Sequence, residues 1–318
     1  MTAAAARPEP SGRAAVFLCR PFVTRHPERM TVLRIAIPNK GRLSEAALDL
    51  FEKAGLKAEF RADRALVARL GDEFQAIFVR AQDIPEFVAD GAAEFGITGG
   101  DLVAESSRPE VTELLDLGFG KCRLIVADRE ESPIRSPAEL PAGTRVATSF
   151  PQCTRRYFAE LGTEIRIVPV SGAAEIAPHL GVADAIVDLT STGSTLRVNG
   201  LKEIGTILES SARLIANADA LEGDTERRAT ELTSALESVL RAARKRYLMT
   251  NVPRDRLDEV REVLPGISGP TIVDVLDQGK WVAAHAVVDE DQVYQTIARL
   301  KALGAEGILV TRIERLLP

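Results

Sequence analysis

The stretch "DAIVDLTSTGSTL", residues 184–196, decides the fold. Its first half is an apolar run without polar alternation, as a strand covered on both faces requires. Its second half places Thr190, Ser191, Thr192, Gly193, Ser194 and Thr195 in succession, after which "LRVNG" reads as a short helix stopped at Gly200. A strand that ends in a glycine-bearing turn and runs into a helix is the repeating unit of an α/β sheet, and open α/β sheets bind ligands at the carboxyl ends of their strands. Glycine lets consecutive amides face one point, hydroxyls add donors, and a helix end adds partial positive charge, so a phosphate fits the turn. Asp188 stands beside it as an acceptor for sugar hydroxyls. The same residues are equally consistent with an ordinary βα turn in which Asp188 caps. A Walker loop is excluded, because GxxxxGK[ST] is absent.

Outward from this stretch, the pattern repeats. "VLRIAIP" leads through "NKGR" into "LSEAALDLFEKAG", whose apolar residues recur at helical spacing up to Gly55. "EFQAIFVR", "EFGITGGD", "CRLIVAD", "TRVATSF" and "EIRIVPV" are further strand candidates. "DTERRATELTSALESVLRAARKRY" predicts one long helix from about Asp224. Beyond it, "YLMTNV", "RDRLDEVREVL", "TIVDVLDQGKWVAAHAVV", "EDQVYQTIARLKAL" and "GILVTRI" follow a βαββαβ order, the ferredoxin-like unit, and predict a separate domain.

With 318 residues, 45% of them hydrophobic, the chain can bury more than one core, and its net charge of −6 supplies no basic field for nucleic acid or an anionic membrane. Its apolar runs are far shorter than the roughly 20 residues that span a bilayer. Three cysteines and three histidines lack ligand spacing, so neither a structural zinc site nor a disulfide framework is expected, and the expected location is the cytoplasm. Residues 1–30 carry five Arg against two Glu and no Lys. They are expected to be a disordered extension, with translation starting at Met30, directly before the first strand pattern.

The longer stretch "EIAPHLGVADAIVDLTSTGSTL" resembles the signature of the ATP phosphoribosyltransferases, which open histidine biosynthesis. The similarity continues through "LRIAIPNKGRLSEAALDLFEKAGL", "DIPEFVADGAAEFGITGGDLV", "ATSFPQCTRRYF", "RLDEVREVLPGISGPTI" and "LKALGAEGILV", covering residues 32–318. It is closest to the long form, which carries its own regulatory domain and needs no synthetase-like partner. The resemblance implies an α/β fold with a two-lobed catalytic region like periplasmic binding proteins, plus a C-terminal ferredoxin-like domain of the ACT type. Lobe I is expected at 31–122 and 207–245, lobe II at 123–206, and the regulatory domain at 246–318. The implied reaction joins N1 of ATP to C1 of phosphoribosyl pyrophosphate (PRPP), inverting that carbon and releasing pyrophosphate. Mg2+ is expected to accompany the pyrophosphate, with no dedicated metal ligands on the protein. Homo-oligomers, dimer and hexamer, are implied as well.

On this reading Asp188 takes the ribose hydroxyls of PRPP, and Thr190, Ser191, Thr192, Gly193, Ser194 and Thr195 take its 5′-phosphate. Lys40, Gly41 and Arg42 follow the first strand and precede a helix start near Ser44, where two cations suit ATP phosphates or pyrophosphate. A solvated turn is the alternative. Gly99, in the turn at residues 96–101, is a further ATP or pyrophosphate candidate, although Asp101 capping the next helix accounts equally well for that turn. In "SFPQCTRRYF", Thr154 is expected to cap a helix while Arg155 or Arg156 reaches the cleft. Glu175 is placed near the purine or ribose, or simply at a helix start. Asp83 and His179 are read as structural or surface residues, Cys122 as a small buried hydrophobe, and Trp281 as core or interface. In the tail, histidine as feedback inhibitor is expected near Ser268, Thr271 and Thr311. A plain dimerisation module fits the same pattern.

Overall fold

The computed structural model describes residues 32–62, 65–267, 269–275 and 279–317. The expected extension at 1–30 lies outside the described residues. Leu33–Pro38 (β1) leads into Arg42–Lys53 (α1), whose Ala47, Leu50 and Phe51 form one buried stripe against the sheet. Ala58–Phe60 (β2), Val67–Leu70 (β3), Phe74–Val79 (β4), Ile84–Ala89 (α2), Phe95–Gly99 (β5), Gly100–Ser106 (α3) and Val111–Asp116 (β6) follow.

The chain then builds a second sheet from Cys122–Arg129 (β7), Thr144–Thr148 (β8), Pro151–Leu161 (α4), Ile165–Pro169 (β9), Ala185–Thr190 (β10), Ser194–Val198 (α5) and Leu201–Ser210 (β11). It returns to the first sheet as Ala212–Asn217 (β12). Among the described residues the first sheet runs β2-β3-β4-β1-β5-β12-β6 and the second β11-β7-β10-β8-β9. Neighbours β4, β1 and β5 are parallel, as are β10, β8 and β9, so each sheet gathers several strand carboxyl ends along one edge. β10 is a central strand, as its unbroken apolar run requires.

Two segments cross between the sheets, residues 117–121 and Ser211. β11 pairs with β7 along its whole length through two register irregularities, so the return crossing lies beyond residue 206, where the sequence reading places it. Asp116 joins the crossovers: it accepts from Gly118 N at 2.8 Å and from Ser211 Oγ at 2.7 Å, and it pairs with Arg213. Burial pushes the Asp116 carboxyl up, but the bonds from Ser211, Gly118 and Arg213 outweigh it and hold it below the usual carboxylate range.

The long helix is Gly223–Ala243 (α6), which packs Leu232, Leu236 and Val239 into the core of the first sheet. Lys245–Pro253 (β13), Leu257–Val263 (α7), Thr271–Asp274 (β14), Trp281–Asp289 (β15), Val293–Ala302 (α8) and Glu306–Arg312 (β16) complete the expected βαββαβ unit, with antiparallel order β14-β15-β13-β16. Its own core joins Leu248, Val252, Val282, Ala284 and Ala286 to Val260 and Leu300 of the two helices. No described helix is long and apolar enough to cross a membrane.

Candidate active site

The 190–195 loop leaves the carboxyl end of β10, and its shape is set by its own hydroxyls. Thr190 is buried, and its Oγ1 accepts from Gly193 N at 2.9 Å. Gly193 has φ 71°, the left-handed region that lets the chain double back into α5. Thr192 Oγ1 lies 3.0 Å from Ser194 Oγ, and Ser191, Ser194 and Thr195 are exposed. Helix α5 has only five residues, so its dipole adds less than the sequence reading supposes. The loop's donors are hydroxyls and turn amides.

Asp188 precedes the loop, half-buried, with Oδ1 accepting from Leu189 N at 2.8 Å. Burial raises its pKa above the ordinary aspartate value, the backbone bond from Leu189 opposes this, and the negative charge of the nearby Glu175 carboxyl raises it further. Glu175 comes from the single 3-10 turn Ala174–Ile176 that follows β9. The fold thus brings together two residues named from the sequence, around a surface that can accept hydrogen bonds from vicinal hydroxyls.

On the first sheet, Lys40, Gly41 and Arg42 are all exposed at the carboxyl end of β1. Helix α1 starts at Arg42, two residues earlier than expected, because Gly41 with φ 84° serves as its N-cap. Gly99 ends the adjacent strand β5, where it is buried, and a Cβ on it would lie 2.3 Å from Asp101 Oδ1. Asp101 is the second residue of α3 rather than its cap. It is 4% exposed, its amide donates to Ser210 Oγ at 2.9 Å, and Ser210 Oγ donates back to Oδ1 at 2.5 Å.

Helix α4 carries the arginine pair. Arg155 Nη1 donates to Gln152 on its own helix at 3.3 Å, while Arg156 Nη2 reaches Ala104 O of α3 at 3.4 Å. Thr154 does not cap α4. It is the fourth residue of that helix, fully buried, and its hydroxyl donates back to Phe150 O at 2.6 Å. The N-terminus of α4 is met instead by Glu105 of α3, which accepts from Gln152 N at 2.8 Å and Cys153 N at 2.9 Å. His179 lies in a turn, not on a helix, with Nε2 2.7 Å from Asn199 O.

The sequence reading passes over Arg80 and Lys121. Arg80 is exposed directly after β4, and Pro38 pairs with Val79, so Arg80 and Lys40 leave neighbouring parallel strands side by side. The strand-end rule that singles out Lys40 applies to it unchanged. Lys121 lies in a crossover and shares a cavity of about 400 Å³ with Arg123, Ser191, Ser210 and Arg213. Nothing in its local sequence marks it, since the cavity exists only once the two sheets are joined. Neither of the two described cysteines is a ready nucleophile: burial, then Asp101, raises the Cys122 thiol, and burial, then Glu105, pushes Cys153 up to about 12.

In the C-terminal sheet, Thr271 pairs with His285 and Thr311 with Tyr247, and Tyr247 Oη lies 3.1 Å from His285 Nδ1. These four side chains share the face turned away from the core formed with α7 and α8, because Leu248, Ala284 and Ala286 occupy the other. Ser268 lies outside the described residues. Among the described residues no group of three His, Cys, Asp or Glu side chains could hold a metal ion.

A family model described as HisG, ATP phosphoribosyltransferase, matches residues 80–238, and one described as the HisG C-terminal domain matches residues 242–315. An ATP phosphoribosyltransferase of Gemmatimonas aurantiaca is 61% identical over 293 residues, covering 90% of this chain and 100% of the relative. That of Natronomonas pharaonis is 53% identical over 287 residues, with the same two coverages. Among solved structures, the ATP phosphoribosyl transferase (HisG:HisZ) complex from Thermotoga maritima matches with a TM-score of 0.58 and 28% identity, covering 66% of this chain and 99% of that one.

Proposed function

Since this chain belongs to the ATP phosphoribosyltransferase family, whose members carry out the first step of histidine biosynthesis, we propose a residue-level account of that transfer on the geometry above. The carrying observation is the hydroxyl loop at 190–195, placed beside the Asp188–Glu175 pair at the end of a central strand. PRPP lies with its 5′-phosphate in the loop and its ribose hydroxyls donating to Asp188. Its pyrophosphate then points toward Lys40, Arg42 and Arg80, with Lys121 on the crossover side. ATP enters from the first sheet, near Gly99 and the α4 arginines, with Arg156 rather than Arg155 directed at α3.

Adenine N1 attacks C1 from the face opposite the leaving group. The N1–C1 bond forms as the C1–O bond breaks, and its electron pair departs with pyrophosphate. Charge on the leaving group rises as the sugar carbon becomes cation-like, so fixed cations at the strand ends and the carboxylates near the ribose stabilise opposite ends of the same transition state. No covalent enzyme intermediate is required, consistent with the raised thiols of Cys122 and Cys153. Mg2+ would be held by the hard oxygens of the pyrophosphate itself and would supply further charge neutralisation there.

We infer that the C-terminal domain binds histidine along the Thr271–His285–Tyr247–Thr311 strip, that inhibition shifts a dimer toward a hexamer, and that no synthetase-like partner is needed. The cytoplasm, which supplies both substrates, is the inferred location. The test is pyrophosphate release from PRPP with ATP, compared with other purine and pyrimidine nucleotides, with and without histidine. Release with ATP alone, suppressed by histidine, supports the reading; equal release with other bases, or none with ATP, overturns it.

A further inference from the structure

The C-terminal sheet is tied to the first lobe at both ends of its chain. Strand β13 begins two residues after α6 ends, and β16 finishes beside it, Arg246 pairing with Arg312. The residues after β16 then turn back. Leu316 N donates to Ser238 O of α6 at 2.9 Å, and Arg315 Nη2 donates to the carbonyl of Ala54, the C-cap residue of α1. A carbonyl at this end of a helix has no partner within the helix and sits at the negative pole of its dipole, so a guanidinium is well suited to it.

Helix α1 begins at the opposite end with Gly41 and Arg42, directly after Lys40. Its 12 residues make a rod of about 18 Å, packed against β1 and α6. Between α1, α6 and the tail lies a cavity of about 670 Å³, lined in part by Asp49, Lys53, Leu240, Arg312 and Glu314. Continuous packing therefore does not clamp the tail to α1 along its length: Arg315 holds the end of α1, and Leu316 bonds to α6.

We propose that Arg315 is a positioning residue: by holding the last carbonyl of α1 it sets, along a rigid helix, the placement of Lys40 and Arg42. The tail is then the link through which the domain at 245–312 acts on the site. What those two cations bind rests on the proposed function; the link itself does not.

The test compares full-length wild type, Arg315→Ala and Arg315→Lys. In Arg315→Ala the KM for PRPP rises five- to tenfold and kcat falls with it, because Lys40 and Arg42 face its pyrophosphate in the ground state and, as its charge rises, in the transition state, while the KM for ATP stays within twofold. Arg315→Lys, whose ammonium can donate to the same carbonyl, returns to within twofold of wild type. Histidine still binds Arg315→Ala by calorimetry but inhibits it at least fivefold more weakly. Amide hydrogen exchange over residues 44–50 is faster in Arg315→Ala and unchanged in β10. Unaltered exchange over 44–50 in a folded Arg315→Ala overturns the proposal, as does an unaltered KM for PRPP. If wild type releases no pyrophosphate from PRPP with ATP, the functional reading fails, and exchange over 44–50 still reads the link.

Discussion

The carboxyl group of Asp188 is faced by that of Glu175, although one belongs to β10 and the other to the turn after β9. Burial and then this neighbour raise the pKa of Asp188, so the group becomes a full acceptor only at a higher pH than an ordinary aspartate. Sugar binding through Asp188 is lost as pH falls through that raised value. Glu175→Gln removes the facing charge, and the acid limb of kcat/KM for PRPP should move to lower pH. A limb that stays in place, measured by initial rates in constant-ionic-strength buffers, would show that Asp188 does not set it. Folding runs in the opposite direction. The native state holds this proton more tightly than the unfolded chain, so the group's contribution to stability falls as pH rises through the window between the ordinary and raised values.

Gly193 combines a positive φ with the centre of the hydroxyl loop. Valine there forces a β-branched side chain into the left-handed region and re-aims the amides of 192–194. Gly193→Val should raise the KM for PRPP at least tenfold, with a smaller effect on the KM for ATP. Equal KM values for PRPP in the two proteins would remove the loop from the phosphate site.

How much of this was legible follows from which residues carry a local signal. The buried parallel strands β1, β8 and β10 announce themselves as apolar runs, and α6 as an uninterrupted helical period. Strands β3 and β6 do not, because "VARL" and "VTELLD" are half-exposed and mix polar residues into short pieces, while β11 is broken by two register irregularities. Within the site, Asp188 and the 190–195 loop lie in one contiguous motif and can be read directly. Asp188 on β10 faces Glu175 on the turn after β9, and the Asp101–Ser210 contact joins two sheets. Sequence order places neither pair side by side.

Gly99 illustrates a glycine whose reason is steric. A Cβ would lie 2.3 Å from Asp101 Oδ1, and that oxygen cannot yield without breaking the bond it accepts from Ser210 Oγ. Gly99→Ala should therefore destabilise the fold by about 1–3 kcal/mol, the usual cost of overpacking a filled site. Urea denaturation checks the figure. A stability equal to wild type would mean that Asp101 has room to move.

Glu105 should control a thiol it does not need chemically. Its carboxylate accepts from the amides of Gln152 and Cys153, where an acid at a helix N-terminus is favoured, and it thereby joins α3 to α4. Burial comes first among the causes that push Cys153 up to about 12, and the negative charge of Glu105 comes next. Glu105→Gln keeps an acceptor for the amides but removes the charge, so the thiolate becomes easier to form and the pKa falls. Labelling of Cys153 by iodoacetamide at pH 9, followed by peptide mass spectrometry with Cys122 as internal reference, should then be several-fold faster than in wild type. Glu105→Ala also removes the acceptor and should cost about 1 kcal/mol of stability as well, the usual worth of a capping contact. If Cys153 labels at the wild-type rate in Glu105→Gln, burial alone sets its pKa and the charge of Glu105 is spent entirely on the helix end.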